Sequence, residues 1–71
     1  MKMEKHDSKF VKRAQHYRMA LNYVEKMATC LAATIDACDN NDLERAEQFS
    51  LLAVRHGILA EQYLTRANNE A

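Results

Sequence analysis

Apolar and small residues recur at alternating intervals of three and four along two long stretches of the chain. This spacing predicts two helices, each with a stripe that faces another helix in a left-handed supercoil. The stripe of the first stretch is more aliphatic, and that of the second stretch is richer in small side chains. The first comprises Phe10, Ala14, Tyr17, Leu21, Val24, Ala28, Leu31, Ile35 and Cys38, and the second Leu43, Ala46, Ser50, Ala53, Gly57, Ala60, Leu64 and Ala67.

The sequence Asp39-Asn40-Asn41-Asp42 separates the two stripes. Asn tolerates the left-handed conformation that ends many helices, and Asn41-x-x-Glu44 resembles a capping box for the next one. A linker this short returns the second helix antiparallel to the first. The sequence therefore predicts an all-α antiparallel two-helix hairpin, with helices over residues 8–38 and 42–68, in a single domain of residues 8–71. Residues 1–7 are expected to form a flexible basic tail.

Folding the chain back at Asn40 and Asn41 places large residues of one stripe opposite small residues of the other. Val24 then faces Gly57, and Leu31 faces Ser50. This alternation allows two helices to approach closely. We expect Gly57 to make room for Val24 or for a neighbouring backbone, and a flexible hinge at this glycine is the alternative.

Both helices carry apolar residues outside this predicted seam. At about 25 cal/mol per Å² of apolar surface, exposing such a face to water forfeits several kcal/mol. We expect a second copy to cover it, giving a dimeric four-helix bundle, or else a different protein. A smaller patch on the opposite side is either a second partner surface or incidental exposed aliphatic surface. The broad face consists of Tyr23, Met27, Phe49, Leu52, His56, Leu59 and Tyr63, and the patch of Leu51, Val54 and Ile58.

Composition supports the helical prediction and charge adds one further possibility. The chain has one glycine and no proline, which argues against many short strands. The net charge is zero, but residues 1–18 carry +4 and residues 36–71 carry −4. The basic start is either an ordinary solvated surface or a polyanion-binding end. A helix extended towards the N-terminus would present Lys5, Lys9 and Lys12 as a ridge for nucleic-acid phosphates.

The sequence contains no motif for catalysis, cofactor binding or metal binding. Its histidines lack ligand partners at suitable spacing, and we expect His56 to be an interface residue. Cys30 and Cys38 are separated by roughly 12 Å along one helix, too far to bond to each other. No apolar run approaches the roughly 20 residues that span a bilayer. Without a signal peptide, reduced thiols and a cytoplasmic setting are expected, and we expect neither enzymatic activity nor a cofactor.

The hairpin architecture, with its alternation of small and large core residues, resembles small dimeric helical-hairpin regulators of the RNA-binding Rop type. Residues 42–53 are also similar to the second helix of a tetratricopeptide unit. Neither resemblance carries functional residues over to this chain. The sequence predicts a non-enzymatic protein–protein interaction module that works as a homodimer: an adaptor, a small chaperone, or an inhibitor or regulator of a larger protein. The alternative is a Rop-like dimeric nucleic-acid-binding regulator.

Overall fold

The chain folds into two antiparallel helices that pack against each other along their length. The computed structural model describes the backbone of residues 3–69 and the side chains of residues 9–69. Helix α1 spans Met3–Asp39 and helix α2 spans Leu43–Asn69. The predicted all-α hairpin is therefore confirmed. Helix α1 begins earlier than expected, so the backbone of the predicted tail is helical from Met3, while Met1 and Lys2 lie outside the described residues.

The turn between the helices combines a helix-ending motif with a helix-starting one. Asn41 adopts a left-handed conformation, with φ of 59°. Its amide donates to the Cys38 carbonyl at 3.0 Å, and the Asp42 amide donates to the Ala37 carbonyl at 2.8 Å. This pair of bonds is a Schellman motif, which satisfies carbonyls at the end of α1. Asn thus ends the first helix as predicted.

Asp42, rather than Asn41, caps the second helix. The Asp42 carboxylate accepts a hydrogen bond from the Arg45 amide at 3.1 Å. The Asp42 carbonyl also accepts the first intrahelical bond, from the Ala46 amide at 3.0 Å. The predicted capping box was therefore wrong by one residue, because Asn41 is already committed to the left-handed end of α1.

Alanines form the centre of the contact between the helices. Four alanines of α2, spaced seven residues apart, are buried, and two alanines of α1 are buried opposite them. Side chains this small allow the two backbones to approach closely. Half-buried residues of α1 lie between its two alanines and continue the same spacing towards the N-terminus. The buried alanines are Ala20, Ala37, Ala46, Ala53, Ala60 and Ala67.

On α2, the alanines of the predicted seam are buried, but Leu43 and Leu64 retain 73% and 40% of their surface. The seam predicted for α1 is wrong. On α1, the stripe that contacts α2 runs one position earlier than expected, through Arg13, His16, Ala20, Tyr23, Met27, Cys30, Thr34 and Ala37. The stripe predicted to form the seam is largely exposed: Leu21 retains 55% of its surface, Leu31 45% and Ile35 63%. The contacting stripe instead stacks Tyr23 on Tyr63 and His56, and it buries Ala20 and Ala37 beside the alanines of α2.

Aromatic rings and Met27 fill the space between the alanines. Tyr23 stacks on Tyr63 with ring centroids 5.7 Å apart and on His56 at 6.1 Å, and His16 lies 6.0 Å from Tyr63. Gly57 packs against Met27 rather than Val24, since a Cβ atom at Gly57 would lie 3.1 Å from the Met27 sulfur. The predicted close approach at Gly57 is present, but with a different partner.

Candidate interaction surfaces

The hairpin has very little interior. Among residues 9–69, no large side chain is fully buried, and the buried apolar residues are all alanines. The molecule measures 61 × 15 × 10 Å, and its radius of gyration is 16.9 Å, against about 11 Å for a compact domain of this length. Its accessible surface is 5765 Å², whereas a folded monomer of 8.2 kDa exposes about 4,500 Å². The excess follows from the elongated shape of the hairpin.

The geometry of antiparallel helices determines which residues share a side. Each residue is rotated about the helix axis by about 100° from the one before it. The second helix runs in the opposite direction and also faces the first helix from the other side, and these two reversals cancel in the sense of rotation. Positions that follow interface residues therefore turn to the same side on α1 and α2. The Tyr17 hydroxyl confirms this, because it donates to the Asn68 side-chain oxygen at 2.6 Å and both residues occupy such positions.

One long side of the hairpin is apolar, and we call it the aliphatic face. Its α1 residues belong to the stripe that was predicted to form the seam, and three of its α2 residues belong to the patch predicted as a second partner surface. Leu51 and Val54 retain 62% and 61% of their surface. The aliphatic face consists of Phe10, Tyr17, Leu21, Val24, Leu31, Ile35, Leu51, Val54, Ile58 and Leu64.

The aliphatic face carries no charge on α1. The α1 positions that follow its interface residues, from Ala14 to Cys38, are all uncharged. On α2, Glu47 and Glu61 lie on this side of the hairpin, because both follow buried alanines as Val54 does. An exposed apolar strip that extends over both helices is typical of a protein-binding surface.

The opposite long side carries five of the eight Lys and Arg side chains of residues 9–69, and we call it the cationic face. It is formed by residues that precede the interface residues on each helix. Asp36 is the acidic residue among these positions of residues 9–69, and Glu25, Asp42 and Glu44 border them. The cationic face consists of Lys12, Lys26, Arg45, Arg55 and Arg66, together with Met19, Leu52 and Leu59.

Three of these cations lie over aromatic rings. The Lys26 ammonium is 5.1 Å from the Tyr23 ring centroid, and the Arg66 guanidinium is 5.2 Å from that of Tyr63. The Arg45 guanidinium is 5.8 Å from the Phe49 ring. Cation–π attraction of this kind holds the charged groups close to the helices while leaving them in solvent. Beside Lys26, an open groove of about 460 Å³ joins the two helices, lined by Asn22, Glu25, Lys26, Thr29, Cys30 and His56.

Arg13 lies at the open end of the hairpin, where it contacts the end of α2. Its Nε atom donates to the Ala67 carbonyl at 3.2 Å. This carbonyl belongs to the last turn of α2, where backbone acceptors lack helical partners and a positive charge is favourable. Arg13 therefore links α1 to the last turn of α2.

The residues predicted for the broad face are only partly available for binding. Leu52 is exposed, with 39% of its surface accessible. Tyr23, Met27, Phe49, His56, Leu59 and Tyr63 are half-buried, and most of them belong to the contact between α1 and α2. The hairpin itself therefore covers much of this predicted surface.

The lysines predicted to contact nucleic acid lie on α1. The side chains of Lys9 and Lys12 are exposed, and the side chain of Lys5 lies outside the described residues. The cationic face was missed because its charges are distributed over the whole sequence. A signal was present, since Lys26, Arg45 and Arg66 each lie three or four residues from an aromatic residue.

Neither a protein-family model, a curated protein nor a solved structure matches this chain. Within residues 3–69, neither helix has an apolar segment long enough to cross a membrane. The side chains of residues 9–69 contain no cluster of three or more His, Cys, Asp or Glu groups that could hold a metal ion. Both cysteines are free thiols, with Cys30 half-buried and Cys38 exposed.

Proposed function

We propose that the chain is a non-enzymatic protein–protein interaction module that works as a helical-hairpin homodimer. Its role is that of an adaptor, a small chaperone, or an inhibitor or regulator of a larger protein. The observation that supports this most directly is the near absence of an interior: among residues 9–69 only alanines are buried, while fourteen large apolar side chains are exposed. Free thiols at Cys30 and Cys38 fit a reducing, cytoplasmic setting.

The dimer interface that we propose is the aliphatic face. The excess surface of the hairpin, about 1,200 Å², exceeds the roughly 800 Å² that each partner buries in a standard interface. The uncharged α1 strip can pack against its own copy about a two-fold axis, because a two-fold interface brings the same patch of both subunits together. The product is a four-helix bundle with Glu47 and Glu61 at its rim.

The mass in solution tests this proposal. At micromolar concentration we expect twice the 8.2 kDa mass of one chain by light scattering or sedimentation equilibrium. A strict monomer with intact helical circular dichroism would contradict the homodimer. Leu31→Lys, at the middle of the aliphatic face, should shift the mass towards the monomer. Val11→Lys places the same charge on the outer side of α1 and should leave the dimer intact.

A second candidate function is nucleic-acid binding through the start of α1. It is favoured by the extension of α1 back to Met3, which places Lys5, Lys9 and Lys12 on one continuous helix. The combined Lys9→Glu and Lys12→Glu variant should then lose retention of RNA or DNA at low salt, because phosphate contacts dominate such binding. Arg18→Glu, on the outer side of α1, is the matched control. If the unmodified chain retains no nucleic acid at low salt, this candidate is wrong.

A further inference from the structure

The cationic face combines positive charge with exposed aliphatic side chains. Leu52 and Met19 retain 39% and 37% of their surface on this face. From this combination we infer that the cationic face binds an acidic amphipathic helix of a partner protein. The inference rests on the proposed homodimer, because two copies joined through their aliphatic faces leave both cationic faces directed outwards.

Charge complementarity selects the chemistry of this partner. Five cations occupy the cationic face, whereas Asp36 is the acidic residue on it in residues 9–69, and Glu25, Asp42 and Glu44 border it. Carboxylates of the partner would meet Lys26, Arg45 and Arg66, which their aromatic contacts already hold in place. Long-range attraction of this kind raises association rates and excludes basic partners.

The aliphatic residues select the shape of the partner. An amphipathic helix binds a groove between two helices through apolar residues spaced by three and four. Leu52 and Leu59 are seven residues apart on α2, so both belong to one row along this face. A helix of about 20 residues spans roughly 30 Å and fits within the 61 Å length of the hairpin.

Nucleic acid is a poorer fit for the same surface. Single strands gain affinity when bases stack on free aromatic ring faces. Here Tyr23 stacks against Tyr63 and His56, and the Lys26 ammonium lies over its ring. Tyr63 is likewise stacked and lies under Arg66. Leucine side chains on this face add nothing to phosphate binding, whereas they add contact area for a protein helix.

The binding test uses three synthetic probes of equal length, about 20 residues or nucleotides. The first is a helical peptide with leucines at heptad a and d positions and glutamates elsewhere, the second is polyglutamate, and the third is a single-stranded oligonucleotide. We expect the amphipathic peptide to bind the full chain at least tenfold more tightly than polyglutamate. Binding should weaken with salt, because charge pairs contribute to it.

Two exposed aliphatic residues of α2 provide a matched pair of variants. Leu52 precedes Ala53 and belongs to the cationic face, and Val54 follows Ala53 and belongs to the aliphatic face. Leu52→Ser should weaken peptide binding about tenfold and leave the dimer mass unchanged. Val54→Ser should weaken the dimer and leave peptide affinity within about twofold. Lys26→Glu should weaken peptide binding by a similar factor, whereas Arg18→Glu, on the outer side of α1, should not, and Lys26→Arg should bind normally.

The following results would each contradict the inference. Equal affinity for the peptide and polyglutamate would reveal a general polyanion site, and tighter binding of the oligonucleotide would favour nucleic acid. Growth of the unliganded protein beyond a dimer would mean that another copy docks on the cationic face. Mass measurements distinguish the two proposals. A helical monomer that binds the peptide contradicts only the homodimer. A dimer that does not bind the peptide contradicts only this inference.

Discussion

Gly57 is the only glycine of the chain, and it lies where the two helices contact each other. Its φ is not positive, so the backbone there does not require glycine. A Cβ atom would meet the Met27 sulfur at 3.1 Å, which is tight, but Met is a flexible side chain that can shift by a few tenths of an ångström. We expect Gly57→Ala to raise the free energy of unfolding by about 0.5–1 kcal/mol, since alanine is the better helix former. Urea unfolding at one fixed protein concentration measures this.

The same substitution in a Met27→Ala background is its control. Without the Met27 sulfur, Gly57→Ala should raise the free energy of unfolding by more, because the tight contact is absent. The difference in this increase between the two backgrounds measures the free-energy cost of that contact. If Gly57→Ala destabilises the protein in both backgrounds, steric contact with Met27 is not the reason for the glycine. The hinge suggested by the sequence would then gain support.

At the scale of the helices, the alanine column of α2 keeps the hairpin closely packed. Ala53 is 3% exposed at the centre of this column. We expect Ala53→Leu to lower the free energy of unfolding by about 1–3 kcal/mol, because the larger side chain must push α1 away or adopt a strained rotamer. Urea unfolding followed by circular dichroism measures the loss.

Ala32→Leu makes the same chemical change on the outer side of α1, where Ala32 is exposed. Its effect should stay within about 0.5 kcal/mol, as is usual for surface substitutions. Equal stability of the Ala53 and Ala32 variants would show that the alanine column is not closely packed.

The helices also show what the sequence could and could not predict. The column at Ala46, Ala53, Ala60 and Ala67 was recognisable, because small residues at a regular spacing favour a close helix contact. On α1, two stripes one residue apart both follow the three-and-four spacing, and hydrophobicity alone favours the wrong one. Small residues do not distinguish the two stripes either, since one contains Ala14 and Ala28 and the other Ala20 and Ala37.

Surfaces were predicted less well than helices for the same reason. A shift of one residue in the contact stripe of α1 rotates the surface that meets α2 by about 100°. Side chains that were expected to be covered are then exposed, and side chains that were expected to be exposed are covered. Tyr23 and Tyr63 therefore lie in the hairpin contact, and Leu21 and Leu31 lie outside it. The same rotation determines where the charged side chains lie. A chain with a basic start and an acidic second half therefore has a cationic face along its whole length.

The stability of the folded protein should depend on protein concentration. A hairpin whose buried apolar residues are all alanines, among residues 9–69, gains little from its own packing. If a second copy covers the aliphatic face, the folded state is stabilised by mass action. We expect the midpoint of thermal unfolding to rise by several degrees for each tenfold increase in protein concentration, as measured by circular dichroism.

Substitution on the aliphatic face separates association from packing within the hairpin. Ile35 retains 63% of its surface and makes little contact with α2, so Ile35→Lys should not disturb the isolated hairpin. It should nevertheless lower the unfolding midpoint and remove its dependence on concentration, because a lysine cannot be buried between two copies without a partner charge. Val11→Lys, also on α1 but away from this face, should keep the dependence. A midpoint that is independent of concentration in the unmodified chain would mean that the two-helix hairpin is stable alone, with its aliphatic face open to a different partner.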